Sequence, residues 1–172
     1  MAFIKNLEKK PAGLTYGDIL DRFALLSNVK DLPGDKLCFA RSKNLLHLRA
    51  FEKRNSPAAR IPLTTDFENY QKEFSEIRGK YLLTDKDGKA VLQDGNPVVD
   101  IANPELSEKL TDLKQNFRLA IEEREADLKA YNEFMLELVP EEELPKTHTV
   151  QMEDVSGLTQ DQVDAVNWFV KE

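Results

Sequence analysis

A chain of 172 residues with 41% hydrophobic and 32% charged side chains carries enough apolar material for one core. Its mean hydropathy of −0.51 points to a surface-rich helical protein. A formal net charge of −7 works against non-specific attraction of the whole chain to nucleic acid or anionic lipid.

Seven glycines are few for a compact α/β enzyme, whose turns and phosphate loops need them. No run of about 18 apolar residues occurs, so no segment reads as a membrane-spanning helix. The lysines of Met1–Lys10 are followed by no apolar signal-peptide core, and the single Cys38 has no partner for an internal disulfide. A reducing, cytosolic environment is the expectation.

In chain order, residues 1–13 read as an extended arm. Thr15 with Asp18 forms an N-cap pattern ahead of a helix with Ile19, Phe23 and Leu26 on one face. That helix should stop near Asn28, before the turn Asp31-Leu32-Pro33-Gly34-Asp35. A second helix is expected over 35–53 with Leu37, Ala40, Asn44, Leu48 and Phe51 on one face, and 55–62 reads as a loop.

Thr65 with Glu68 resembles a capping box. It opens a helix whose Phe67, Tyr70, Phe74, Ile77 and Tyr81 follow the 3,4 spacing of a seam packed along another helix. Gly79 weakens its end. Between 82 and 101, short β-prone runs alternate with the turns Asp85-Lys86-Asp87-Gly88 and Gln93-Asp94-Gly95-Asn96-Pro97, a hairpin signal.

Asn103 as N-cap and Pro104 at the first helical position open a helix predicted to run without interruption to Val139. At about 34 residues it would span roughly 50 Å. Leu110, Phe117, Tyr131 and Leu138 fall on multiples of seven, with Arg124 interrupting. The tail from Pro140 shows an alternating stretch, His148, Val150 and Met152, that predicts a short strand. Thr159 with Gln162 then caps a short helix with Val163, Val166, Phe169 and Val170 on its apolar face and Trp168 beside it.

The motifs argue against recognisable chemistry. Asp85-x-Asp87-Gly88 fails as a calcium loop, because alignment on Gly88 puts Leu83 at the first ligand position. His47 and His148 lie far apart without acids or cysteine at ligand spacing, so no metal is expected. Cys38 between Leu37 and Phe39 reads as a small core residue. No nucleophile elbow, P-loop or dinucleotide fingerprint is present, and the acids Glu122, Glu123, Glu125 and Asp127 read as a solvated helix face. No cofactor is expected.

Charge is unevenly placed. Lys30 to Arg60 holds eight Lys or Arg against three acids, whereas Glu105 to Glu143 holds twelve acids against five bases. The two blocks either fold against each other or face different partners. Candidate partner-binding residues are therefore Arg41, Lys43, Arg49, Lys53 and Arg54, together with Trp168 and Phe169, which either dock on this chain's own helices or anchor a partner. Nucleic-acid contact by the basic segment is possible but not favoured, because aromatic interleaving is absent.

The order of segments resembles a loose family of small tailed-phage proteins. The residues carrying the resemblance are Ala40-Arg41-Ser42-Lys43-Asn44-Leu45, Tyr81-Leu82-Leu83-Thr84-Asp85-Lys86-Asp87-Gly88, and Val150-Gln151-Met152-Glu153-Asp154-Val155 followed by Leu158 to Val170. The Pro-containing loop at 55–62 and the long second helix depart from that pattern. The resemblance implies a phage origin, a location in host cytoplasm or virion, and a non-enzymatic role. It carries over no catalytic residue.

The expectation is a mostly α (α+β) protein with helical hairpins, one long helix and a β-hairpin tip at about 82–101. It has a helical body over 1–139 and a strand–helix appendage over 140–172. Its expected function is that of a non-enzymatic interaction module, a virion or assembly-associated protein whose partner is another protein, a phage structural protein or itself. The alternatives are an acidic inhibitor of a host enzyme and a nucleic-acid-binding accessory protein using 30–60. No membrane partner is expected.

Overall fold

A computed structural model describes residues 13–171. The described residues are mostly helical with two small two-stranded sheets, and they divide into two compact units. Of the described residues, the first unit comprises 13–60 and 131–171, and the second comprises 61–130.

The first unit is built on a helical hairpin. Helix α1 (Tyr16–Asn28) starts where predicted, with the Thr15 hydroxyl accepting from the Asp18 N–H and the Asp18 carboxylate accepting from the Thr15 N–H. Each bond satisfies a donor that the first helical turn leaves open. The turn that follows uses positive φ at Asp31 and Gly34, and α2 (Asp35–Asn55) runs two residues beyond its expected end. All five residues of its predicted core face are buried. The segment expected as loop contains a one-turn helix, α3 (Pro57–Arg60), because Pro57 sits at the first helical position, where its missing N–H costs nothing.

The tail completes this core. Phe169 and Ala165 are fully buried and Val166 nearly so, and all three cluster with Ile19, Leu26, Leu37 and Phe51. The expected appendage is therefore part of the first unit. Its capping box at Thr159 and Gln162 is present and opens helix α7 (Gln160–Val166), which gives way to a 3-10 turn. Val163, placed on the apolar face by spacing, is substantially exposed. The alternation at His148–Met152 yields a strand of two residues only, β3 (Val150–Gln151), pairing in parallel with β4 (Val170–Lys171).

In the second unit, α4 (Thr65–Gly79) is capped one residue earlier than predicted. Thr64 is the N-cap, its hydroxyl accepting from the Phe67 N–H. The aromatic seam of α4 packs along α5 (Pro104–Asn116), with the Tyr70 and Phe117 rings 6.0 Å apart. The seam is half-buried throughout, and no residue of α4 is fully buried.

The tip is the predicted hairpin, with β1 (Leu92–Gln93) antiparallel to β2 (Asn96–Pro97). Asp94 and Gly95 both take positive φ, as a two-residue type I′ turn requires. The Asp85 carboxylate accepts from the Asp87 and Lys89 N–H groups, which makes Asp85-x-Asp87-Gly88 a turn-stabilising element.

The uninterrupted helix expected over 104–139 is two helices. Phe117 leaves helical geometry (φ −104°, ψ 20°) between α5 and α6 (Arg118–Phe134). No proline or glycine marks the break. Arg124, which interrupts the heptad pattern, donates to the Ile61 carbonyl at 2.6 Å and lies over the Phe67 ring. Its half-buried position thus has a hydrogen-bonding cause.

Candidate functional site

Helix α2 has two faces with separate roles. At 100° per residue, the side opposite Leu37, Ala40, Asn44, Leu48 and Phe51 carries Phe39 and Leu46, seven residues apart, with Lys53 a further seven along. Phe39 is 53% and Leu46 63% exposed. Lys43 and Arg49 flank this line, and both are exposed, as are Lys53 and Arg54. The Lys43 ammonium lies 5.3 Å from the Phe39 ring centroid, so the cation and the aromatic ring form one surface feature. From Lys36 to Arg54 the helix holds six Lys or Arg against the single acid Glu52.

The sequence-predicted site residues separate on this geometry. Lys43, Arg49 and Lys53 border the exposed apolar line, and Arg54 lies further round the helix. Arg41 turns back into the fold. Its guanidinium donates to the Leu26 carbonyl at 3.2 Å and the Ser27 carbonyl at 3.5 Å, meeting the open carbonyls of the last turn of α1. Phe169 is a core residue. Trp168 is half-buried, with its indole N–H donating to the Ala165 carbonyl and the Arg22 guanidinium 5.1 Å above its ring. Both aromatics dock in cis.

Phe39 and Leu46 are the members of this surface that charge counting passes over. The signal for them was available: apolar residues at i and i+7, on the side of α2 away from its own core face.

A small recess of about 80 Å³ borders Trp168 and is lined by Ile19, Arg22, Leu48 and Leu144. Partial burial pushes the Arg22 guanidinium below its ordinary value, with Asp18 opposing the shift. The volume is too small for more than part of a side chain.

The tail crosses α2 beside the exposed face. The His148 ring meets Phe39 edge-on at 5.3 Å, while its backbone is bound by Asn44. Cys38, expected inside, is exposed, with its thiol donating to the Leu32 carbonyl. Comparison with protein-family models, curated proteins and solved structures gave no match. Among the described residues no group of three His, Cys, Asp or Glu is arranged to hold a metal ion, and no helix is long and apolar enough to cross a membrane.

Two further clusters tie down Arg60 and the buried phenols of Tyr16 and Tyr131. The Arg60 guanidinium lies 3.8 Å from the Phe134 ring and donates twice to the Asn55 carboxamide oxygen. The Tyr131 hydroxyl donates to the Asn55 carbonyl and the Tyr16 hydroxyl to the Glu143 carboxylate. Burial raises both phenols above their ordinary value, and the bond to Glu143 adds to the shift at Tyr16.

Proposed function

We propose that this protein is a non-enzymatic protein–protein interaction module that docks a partner on the outward face of α2. The exposure of Phe39 and Leu46 between Lys43, Arg49 and Lys53 carries the reading. Isolated exposed apolar residues are ordinary on protein surfaces. Two large ones aligned seven residues apart inside a ring of cations form the apolar centre and polar rim of a binding patch. Covering the exposed half or more of each side chain contributes about 1–2 kcal/mol, and the cations select for an acidic surface and hasten encounter with it.

In line with the resemblance to small tailed-phage proteins, the module serves as a virion or assembly-associated component. Contact with nucleic acid is disfavoured because the midline of the face is apolar and Arg41 is committed to α1.

The test is affinity capture from infected-cell lysate, with wild type and Leu46→Asp compared in the presence and absence of nuclease. A protein retained stoichiometrically by wild type, insensitive to nuclease and lost with Leu46→Asp, is the expected result. Recovery of nucleic acid alone, abolished by nuclease and by Arg49→Glu, overturns it.

A further inference from the structure

The first unit carries a second exposed apolar feature whose charge is the opposite of the α2 face. From Glu133 to Glu143 there are five glutamates and no lysine or arginine. Within this stretch Leu136 is 76% and Leu138 46% exposed, and Glu137, Glu141 and Glu142 are exposed beside them.

The segment is held in place. The Tyr16 N–H donates to the Glu137 carbonyl at 3.1 Å, the Gly17 N–H to the Met135 carbonyl at 2.9 Å, and the Val139 N–H to the Leu14 carbonyl at 2.9 Å. The Glu143 carboxylate accepts from the Tyr16 hydroxyl. These bonds fix the segment to the start of α1, which packs with α2 in the same compact unit. Both features stay exposed in that unit, so neither covers the other within one copy.

We infer that the α2 face of one copy receives the Leu136–Glu142 segment of a second copy of this chain, which gives the proposed docking face its partner. The inference rests on the reading of α2 as a docking face. Leu136 and Leu138 supply apolar surface for Phe39 and Leu46, and Glu137 and Glu142 supply the carboxylates for Lys43 and Lys53. From Phe39 to Lys53 the outward face of α2 joins large apolar side chains and cations with the small Ser42 and Ala50, whereas the acidic segment exposes leucines and carboxylates with Pro140 between them. Neither feature is complementary to itself, and each matches the other in both respects. Contact between two different surfaces of identical copies is heterologous unless a two-fold axis repeats it. The assembly is therefore either a dimer with two such contacts or a longer head-to-tail series.

Opposed charge swaps test this on the full-length protein. Lys43→Glu with Lys53→Glu makes the α2 face acidic, and Glu137→Lys with Glu142→Lys makes the segment basic. Sedimentation velocity over a concentration series is expected to show self-association of wild type, weakened at least about tenfold by either swap alone. An equimolar mixture of the two variants is expected to associate again. Each α2 face then meets a segment of opposite sign on the other variant.

Circular dichroism confirms that the variants are folded. Should a swap unfold the chain, the single exposed changes Leu46→Asp and Leu136→Asp take its place, each expected to leave a folded monomer. A wild type that stays monomeric at all concentrations overturns the inference. Association untouched by both swaps, or not restored on mixing, does the same. If wild type is monomeric yet retains a foreign protein through Leu46, the self-partner falls and the docking face stands. If it does neither, both fall.

Discussion

Asn44 and His148, 104 residues apart in sequence, exchange two hydrogen bonds. The Asn44 amide donates to the His148 carbonyl at 2.9 Å, and the His148 N–H donates to the Asn44 carboxamide oxygen at 2.7 Å. A fully buried side chain thus acts as a strand partner for the incoming tail. Asn44→Leu keeps the volume roughly constant but leaves both backbone groups unpaired. It is expected to cost about 2–3 kcal/mol in urea unfolding, whereas Lys43→Ala, one residue away on the exposed side, changes stability by less than about 0.5 kcal/mol.

Phe169 sets the contribution of the tail to the core. With no exposed surface, its truncation to Ala removes a buried ring from the core cluster it shares with residues of both hairpin helices and is expected to destabilise the first unit by about 3–5 kcal/mol. Trp168→Ala, at a half-exposed site, should cost clearly less. Equal losses from the two variants in denaturant titrations would show that Trp168 is as central as Phe169.

Arg41 and its basic neighbours should separate cleanly. Arg41→Ala leaves carbonyls at the end of α1 without their cationic donor and is expected to lower stability by about 1 kcal/mol. Arg49→Ala should leave the unfolding midpoint unchanged. Amide exchange in the last turn of α1 faster in the Arg41 variant alone would confirm the assignment.

Tyr16 and Tyr131 make the fold sensitive to alkali. Both phenols are raised in the folded state, first by burial. A raised acid binds its proton more tightly when folded than when unfolded. The stability this supplies is complete below the ordinary phenol value near 10 and is lost as pH rises through the higher folded values. Unfolding free energy should therefore fall above about pH 10, and Tyr16→Phe should make that fall shallower. An identical alkaline slope in wild type and Tyr16→Phe would remove Tyr16 from the account.

What was readable in advance follows from the range of the forces involved. The core face of α2 and the caps at Thr15 and Thr159 depend on residues within one or two helical turns, and spacing alone reports them. The Asp94-Gly95 turn is likewise a local matter of positive φ.

The break at Phe117 carries no glycine or proline, so heptad spacing continues straight through it. Phe169 was legible as apolar, but its burial against Ile19 and Leu26 is a contact across nearly the whole chain. Charge counting found the basic block yet could not show that Arg41 is turned to the Leu26 and Ser27 carbonyls. The exposed line of Phe39 and Leu46 was hidden for a different reason: a search for core faces sets aside apolar residues that lie off them.

The first unit is discontinuous in sequence, and this bears on its synthesis. Its helical hairpin leaves the ribosome early, but Val166 and Phe169 arrive only after the whole of residues 61–130 and the tail have been made. At about 5–20 residues per second, that interval is on the order of ten seconds. During it, α1 and α2 wait with Ile19, Leu26 and Leu37 lacking their final cover, whereas the second unit has every residue it needs once Ala130 is made. The nascent hairpin is then left with apolar surface that its own chain covers only once Val166 and Phe169 arrive.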